Sequence, residues 1–476
     1  MKSVPILRLA PWVAVMAVAG CTVGPDYVRP SMPLPGKFVE AADSAEAIAP
    51  INREWWKLFN DATLNDLVEQ TLHANADIQQ VAARVEEADA FLREVGSAWL
   101  PEVDLSANGS RSRSSANTVP ALPANLLLHN DFKASLGTSF ELDFWGKLRR
   151  STEAARGLAL ASRYGRDTVE LTLVGLLTQS YLALQALDAQ LALSRDTLIT
   201  REKSLAISKD RFAGGLASQL DVQQAESTRA AIVAQIADLV QQRAVTQHQL
   251  ALLTGNPGLV LPAGDFSRLP LPPVPPAGLP SALLDARPDV RQAEAQLAAA
   301  NANIGVAKAA LFPTISLTAS LGAESTDLAN LFKTGSSLWS GGLGLVLPIF
   351  DAGRHSARVD QATAQQKQAL AGYAKAVQTA FKEVGDALVS LRQAGEKERA
   401  VEAQARAATR VLSLADARYK SGYSPYLELL DAQRSSNDAN LTLIRSRQAR
   451  LSAAVDLFKA LGGGWSSSAV LAAKKE

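Results

Sequence analysis

Arg211-Phe212-Ala213-Gly214-Gly215-Leu216-Ala217-Ser218-Gln219-Leu220-Asp221 is answered about 200 residues later by Arg418-Tyr419-Lys420-Ser421-Gly422-Tyr423-Ser424-Pro425-Tyr426-Leu427-Glu428. Each stretch reads as the end of one helix, a tight turn and the start of another. Gly215 and Gly422 suit the left-handed conformation that closes a helix. Ser218 and Ser424 suit N-caps, Asp221 occupies the capping-box position, and Pro425 fits the first helical position. Hairpin geometry alone explains much of this pattern.

Outward from the turns, residues 146–213 and 352–420 are rich in Ala, Leu, Gln, Glu and Arg. Apolar residues recur there at helical spacing, as at Leu173, Leu176, Leu177, Leu184, Leu187 and Leu191. At about 1.5 Å per residue such helices reach roughly 100 Å, the length of coiled-coil rods. Other landmarks recur in the same order. Ala76-Asp77-Ile78-Gln79 matches Pro288-Asp289-Val290-Arg291, and Trp99-Leu100-Pro101 matches Leu311-Phe312-Pro313. The chain is therefore a tandem duplication, each half being a helix, two strands, a very long helix, a turn and a return helix.

Proline marks the boundaries, because helices and central strands scarcely tolerate it. None occurs between Pro123 and Pro257, between Pro348 and Pro425, or after Pro425. The expected organisation is a signal peptide at 1–20, an extended leader at 21–60, a first repeat at 61–256, a Pro-rich linker at 257–280, a second repeat at 281–463 and a tail at 464–476. Strands are expected at 101–113 and 131–144, and at 313–322 and 341–350. The helical hairpins are expected at 146–254 and 352–461.

The four strand segments alternate with period two. Val103, Leu105 and Ala107 alternate with Asp104 and Ser106, and Phe132, Ala134, Leu136, Phe140 and Leu142 alternate with Lys133, Ser135 and Glu141. Ile315, Leu317, Ala319 and Leu321 behave likewise, and Leu343, Leu345, Leu347 and Ile349 share a face of the fourth segment. Alternation fits a soluble sheet over a core as well as membrane strands. The aromatics favour the membrane. Trp99 and Phe312 precede strands one and three, while Phe144-Trp145 and Phe350 end strands two and four, at one level of an antiparallel sheet. Four strands cannot close a barrel, and an open edge in hydrocarbon is costly. Copies must combine, and twelve strands from three copies leave room for a water-filled lumen where eight do not.

The N-terminus agrees. Lys2 and Arg8, an apolar run from Leu9 to Val18 and the small residues Ala19-Gly20 lead to Cys21, the single cysteine of 476 residues. A lone cysteine there reads as a lipid attachment point, with Thr22 rather than aspartate after it. The charge balance, 48 basic against 47 acidic residues, gives no basic field for nucleic acid. No mature run approaches the ~18 apolar residues of a transmembrane helix. Enzymatic signatures are missing: His73, His129, His248 and His355 lack metal spacing, and Gly341-Gly342-Leu343-Gly344 has no phosphate-loop lysine. Glu141 and Asp143 are expected to line a pore rather than to catalyse.

Cys21-Thr22-Val23-Gly24-Pro25-Asp26-Tyr27, Trp55-Trp56, the Leu-Pro start of a strand, Phe144-Trp145-Gly146 and the repeated Arg-aromatic-x-x-Gly turn resemble the outer membrane efflux proteins. These are the TolC-like trimeric channels, and the likeness is to their lipoprotein branch, which serves resistance-nodulation-division pumps. The resemblance covers essentially the whole mature chain. It implies a mainly helical fold with membrane strands: a long antiparallel helical barrel in the periplasm and a shared twelve-stranded barrel in the outer membrane. It implies a homotrimer, a periplasmic adaptor, an inner-membrane efflux transporter and surrounding outer membrane lipid, with no cofactor beyond a covalent lipid on Cys21. It further implies that the turns, with Gly214, Gly215, Ser218, Asp221, Gly422 and Ser424, form the tip where the adaptor docks. Leu412, Asp416 and Arg418 become gate candidates, although Asp416 could equally be a solvated coiled-coil charge. The implied function is a passive exit duct for drugs or other small toxic compounds. The alternatives are a periplasmic adaptor lipoprotein, which would need one hairpin flanked by small barrel domains, or a structural coiled-coil lipoprotein without a pore. Cargo is not written in the chain. Met1, Met16 and Met32 are its only methionines, so no methionine cluster argues for metal.

Overall fold

A computed structural model describes residues 22–33, 35, 38, 53–117, 123, 127–273 and 283–464. Cys21, the signal segment, the end of the Pro-rich linker at 274–280 and the tail from 465 lie outside the described residues. In chain order the main elements are α1 (Ala62–Ala74), α2 (Ala76–Ser97), β1 (Glu102–Arg113), β2 (Leu128–Leu142), α3 (Lys147–Ala213), α4 (Gln219–Leu253), α5 (Leu283–Ala286), α6 (Pro288–Ala309), β3 (Thr314–Ser325), β4 (Ser337–Val346), α7 (Arg354–Lys420) and α8 (Tyr426–Ala460).

The duplication is residue for residue in the hairpins. The outgoing helices α3 and α7 each have 67 residues and the return helices α4 and α8 each have 35. Lys147 and Arg354, and likewise Gln219 and Tyr426, are 207 positions apart, so the offset runs through both hairpins without a gap. The chain forms two compact units. One gathers residues 22–30, Val85–Ser162 and Ala293–Tyr373; the other gathers Arg163–Gln292 with the described parts of 31–84 and 374–476.

The first unit holds the sheet, antiparallel in the order β1-β2-β3-β4. Strand limits differ from the pattern expected. β2 begins at Leu128 and β3 continues to Ser325, because backbone pairing extends beyond the strictly alternating residues. β4 ends at Val346 rather than at 350, so Leu347 and Ile349 lie past it. The reason is Pro348, which offers no N–H to a ladder. The leader residues dock in this unit as well. Val23 N–H donates to Trp145 O at 3.0 Å, Asn301 Nδ2 to Pro25 O at 2.9 Å, Arg150 pairs with Asp26 at 2.5 Å, and Arg29 pairs with Glu294 at 2.7 Å. Gly24, at φ +108°, crosses Gly305 so closely that a Cβ on it would stand 2.5 Å from the Gly305 Cα. Only glycine fits such a crossing.

The second unit contains the main core. Trp55 and Phe59, in a short 3₁₀ turn, pack with Leu64 and Leu67 of α1, Leu177 of α3 and Val455 of α8. Trp55 stacks on Phe458 at 5.3 Å between centroids, which gives the Trp55-Trp56 pair its structural role. Linker residues Leu261, Phe266 and Leu269 are buried in the same cluster.

Candidate functional site

The sheet sets out its side chains in rows that cross all four strands. Leu105 pairs with Leu136, Leu136 with Leu321, and Leu321 with Trp339. In a soluble sheet this apolar row would be a core, yet its members are 74%, 49%, 63% and 81% exposed respectively. The adjacent row, Asp104, Gly137, Ser320 and Ser340, belongs to the other face. That face is joined by hydroxyl bonds, Ser106 to Ser135 at 3.0 Å and Ser320 to Ser340 at 2.7 Å, and by the ion pair Lys133–Glu324 at 3.1 Å. One protomer thus presents an uncovered apolar face, a self-bonded polar face, and two strand edges at β1 and β4.

Aromatics collect where β1 and β3 begin and β2 ends. Trp145 stacks on Phe312 at 4.8 Å and its indole N–H donates to Pro313 O at 2.8 Å, while Trp99 Nε1 donates to Thr152 Oγ1 at 3.0 Å. Both indole N–H groups are satisfied while the Trp99 and Phe312 rings stay partly exposed, an arrangement that suits a membrane interface. Glu141 and Asp143 do not behave as expected. Asp143 accepts the N–H groups of Leu148 and Arg149, both at 3.0 Å, and Glu141 pairs with Lys147 at 2.9 Å. Asp143 is thus taken by the N-terminus of α3, whose unpaired N–H groups and positive dipole end attract it, whereas Glu141 is held by the Lys147 side chain.

At the first turn Leu216 N–H reaches back to Arg211 O at 2.8 Å and Gly215 has φ +72°. Ser218 and Asp221 form a reciprocal capping box: Asp221 N–H donates to Ser218 Oγ at 3.2 Å and Ser218 N–H to Asp221 Oδ2 at 3.1 Å. Gly214 N–H donates to Asp210 O at 3.0 Å. The second turn repeats the helix end, with Tyr423 N–H on Arg418 O at 2.9 Å and Gly422 at φ +79°, but not the cap. There the N-cap is Pro425, in extended conformation at φ −69° and ψ 158°, and Tyr426 is the first helical residue. Ser424 is displaced one position outside the helix and its buried Oγ accepts no capping N–H. Beside the turns four exposed apolar residues correspond in pairs at the 207-residue offset, Leu216 with Tyr423 and Leu220 with Leu427. The sequence points to the docking stretches 211–221 and 418–428 that contain them, but not to these four residues in particular. The signal was present, since solvated hairpin turns ordinarily carry polar residues where both copies carry large apolar ones.

The three gate candidates do not converge. Leu412 packs half-buried against the cluster of Leu205, Val222, Ala415 and Tyr419. Asp416 pairs along its own helix with Lys420 at 2.7 Å, and Arg418 crosses the turn to Glu428 at 3.0 Å. A cavity of about 270 Å³ beside them is lined by Val411, Leu414, Arg418, Glu428, Asp431 and Ser435. Farther along, α3 and α8 meet through a polar seam. Arg445 Nε donates to Gln190 Oε1 at 2.9 Å, Thr197 Oγ1 to Asn437 Oδ1 at 3.1 Å, and the buried Arg201 binds Gln433. Burial pulls the Arg201 guanidinium below its ordinary pKa, with Tyr426 and Asp438 opposing.

Residues 67–256 and 279–463 match the family described as outer membrane efflux protein. The chain is 36% identical over 471 residues to the cation efflux system protein CusC of Escherichia coli, covering 96% of this chain and 99% of that one. It is 36% identical over 460 residues to the toluene efflux pump outer membrane protein TtgF of Pseudomonas putida, covering 94% and 95%. Among solved structures, the Campylobacter jejuni CmeC outer membrane channel superposes with a TM-score of 0.87 at 27% identity, over 96% of this chain and 98% of that one.

Proposed function

The chain belongs to the outer membrane efflux protein family, and from that membership we propose that three copies form the passive outer membrane exit duct of a tripartite efflux pump. The carrying observation is the exposed row Leu105–Leu136–Leu321–Trp339 on a sheet with two open edges. In hydrocarbon the exposed leucines are favourable and the edges must be paired. Three protomers supply twelve strands, with the apolar face toward lipid and the serine-rich face toward a lumen wide enough for water. A periplasmic adaptor and an inner-membrane transporter supply recognition and energy. Family membership favours this reading over a periplasmic adaptor or a pore-free coiled-coil lipoprotein. The named relatives include a cation system and a toluene pump at equal identity, which supports selection of cargo upstream of the duct.

Protein purified from outer membranes is expected to start at an acylated Cys21, to run as a heat-sensitive trimer and to conduct ions in planar bilayers. A non-conducting monomer would sink the duct reading.

The turns are proposed as the docking tip, with Leu216, Leu220, Tyr423 and Leu427 as its apolar contacts beside Gly215 and Gly422. Arg418–Glu428 is proposed as the tie that holds the second turn closed. Replacing Leu216 and Tyr423 with aspartate is expected to abolish cross-linking to the adaptor while sparing the trimer. Arg418→Ala should raise bilayer conductance. Cross-linking that survives, or conductance that stays put, rejects the corresponding assignment.

A further inference from the structure

The two open edges of the sheet are complementary, and the duplication prescribes how they meet. Counting on from the matched prolines Pro101 and Pro313, Leu105 of β1 answers Leu317 of β3; counting back from the helix starts Lys147 and Arg354, Leu136 of β2 answers Leu343 of β4. Leu105 pairs with Leu136, and Leu317 pairs with Leu343. The two β-hairpins therefore repeat each other in register as well as in sequence.

Backbone direction is fixed as well. Ser114 N–H donates to Leu127 O at 2.7 Å and Glu324 N–H to Ser336 O at 2.8 Å, each continuing its ladder by one pair. Hydrogen-bonded pairs recur at every second residue of an antiparallel ladder, so the even-numbered residues of β1 and β4 turn their backbone groups inward, onto β2 and β3. The odd-numbered ones turn theirs to the open edges: Val103, Leu105, Ala107 and Gly109 on β1, and Gly341, Leu343 and Leu345 on β4. Past Val346, Leu347 and Ile349 fall on the same odd positions, and both are exposed. Pro348 between them is even. The N–H it lacks is one that would have faced β3, whose pairing with β4 has already ended at Thr314, so the outer edge loses no donor.

Resting on the three-copy arrangement proposed above, we infer that β4 of one copy pairs with β1 of the next in one register, the register of the β2–β3 seam. That seam joins the first β-hairpin to the second, and the seam between copies joins the second to the first. Ser139 with Thr318, Ser135 with Gly322 and Leu142 with Ile315 are among its pairs. Carried over by the same counting, they set Val346 opposite Ser106, Gly342 opposite Ser110 and Ile349 opposite Val103 of the next copy. Assembly thereby lengthens β4 to Ile349 and gives a partner strand to residues that a single copy leaves bare. The side chains agree, since Gly341 falls opposite Arg111, Leu343 opposite Gly109 and Leu345 opposite Ala107, small against large. A slip of one residue would turn the faces over, so rival registers differ by two. One of them sets Gly341 against Gly109 and Ile349 against Pro101, which has no donor; the other sets Leu343 against Arg111, drawing that cation deeper among the lipid-facing leucines. In the inferred register the row Leu105–Leu136–Leu321–Trp339 arrives at Arg113 of the next copy rather than at Leu105, the stagger that tilted barrel strands require.

Disulfide cross-linking of the full-length protein in outer membranes tests this. Cys21 is the single native cysteine, and the order β1-β2-β3-β4 keeps β1 and β4 apart within one copy, so a β1–β4 disulfide must cross between copies. Val346 with Ser106, and Gly342 with Ser110, are non-hydrogen-bonded positions on the serine-rich face, where Cα atoms approach to about 4.5 Å, within disulfide reach. A Cβ on Gly342 meets only Thr318 Oγ1, at 3.4 Å, so a cysteine fits there. With Val346→Cys and Ser106→Cys in one chain, a mild oxidant is expected to shift the heated gel band from monomer to covalent trimer, and Gly342→Cys with Ser110→Cys should do the same. Pairs displaced by two, Val346→Cys with Asp104→Cys or with Asn108→Cys, should still run as monomer after heating. Heat-sensitive trimer that is linked through a displaced pair, or through neither expected pair, overturns the register while the duct stands. A wild type that forms no heat-sensitive trimer removes the duct reading and this seam with it.

Discussion

Two serines in equivalent turns carry different burdens. Ser218 belongs to a reciprocal capping box, and removing such a cap costs about 1 kcal/mol. Ser424, one place farther from its helix because Pro425 takes the N-cap position, caps nothing. Ser218→Ala is therefore expected to speed hydrogen exchange of the first turn of α4 about fivefold, whereas Ser424→Ala should leave the first turn of α8 unchanged; equal effects would contradict the assignment of caps. Gly215 and Gly422 could be read from the chain because left-handed backbone selects for glycine. The fate of Asp143 could not. A carboxylate goes to the nearest donor in space: the N–H groups that Asp143 takes are exposed only where α3 begins, whereas Asp416 had an i,i+4 partner in Lys420 that helical spacing alone already offered.

For the strands, alternation and aromatics identified all four and their common end, and the limits moved where backbone pairing overrode side-chain pattern. Pro348 was visible as a stop, but the ladder closing β4 ends two residues before it, at Val346. The two faces should respond oppositely to charge. Leu136→Arg places a cation on the lipid side at a cost of about 2–4 kcal/mol and should sharply reduce heat-sensitive trimer in the outer membrane. Ser320→Arg, on the other face, should leave trimer yield intact and shift the channel toward anion selectivity in bilayers. Normal yield from Leu136→Arg, or loss of trimer from Ser320→Arg, would mean the faces are assigned the wrong way round.

Across the whole molecule, the duplication and the family were legible because both rest on the order of short motifs, which survives as plain text. The inter-helix ties were not, since Gln190, Arg201, Gln433 and Asn437 are scattered through unremarkable polar stretches and acquire meaning only when α3 and α8 meet in space. The matched lengths of 67 and 35 residues carry a further consequence. Arg211 lies over the Tyr419 ring at 4.7 Å and Leu205 and Val222 pack with Tyr419 and Tyr426, so the two turns share one cluster. A residue inserted into one hairpin arm would carry its turn about 1.5 Å past the other, and seven would separate them by roughly two helical turns. Growth or shrinkage of this chain is thereby forced into step: a lineage can change the reach of its hairpins only by paired edits of equal size, while unpaired ones are confined to the strand loops, the leader and the linker.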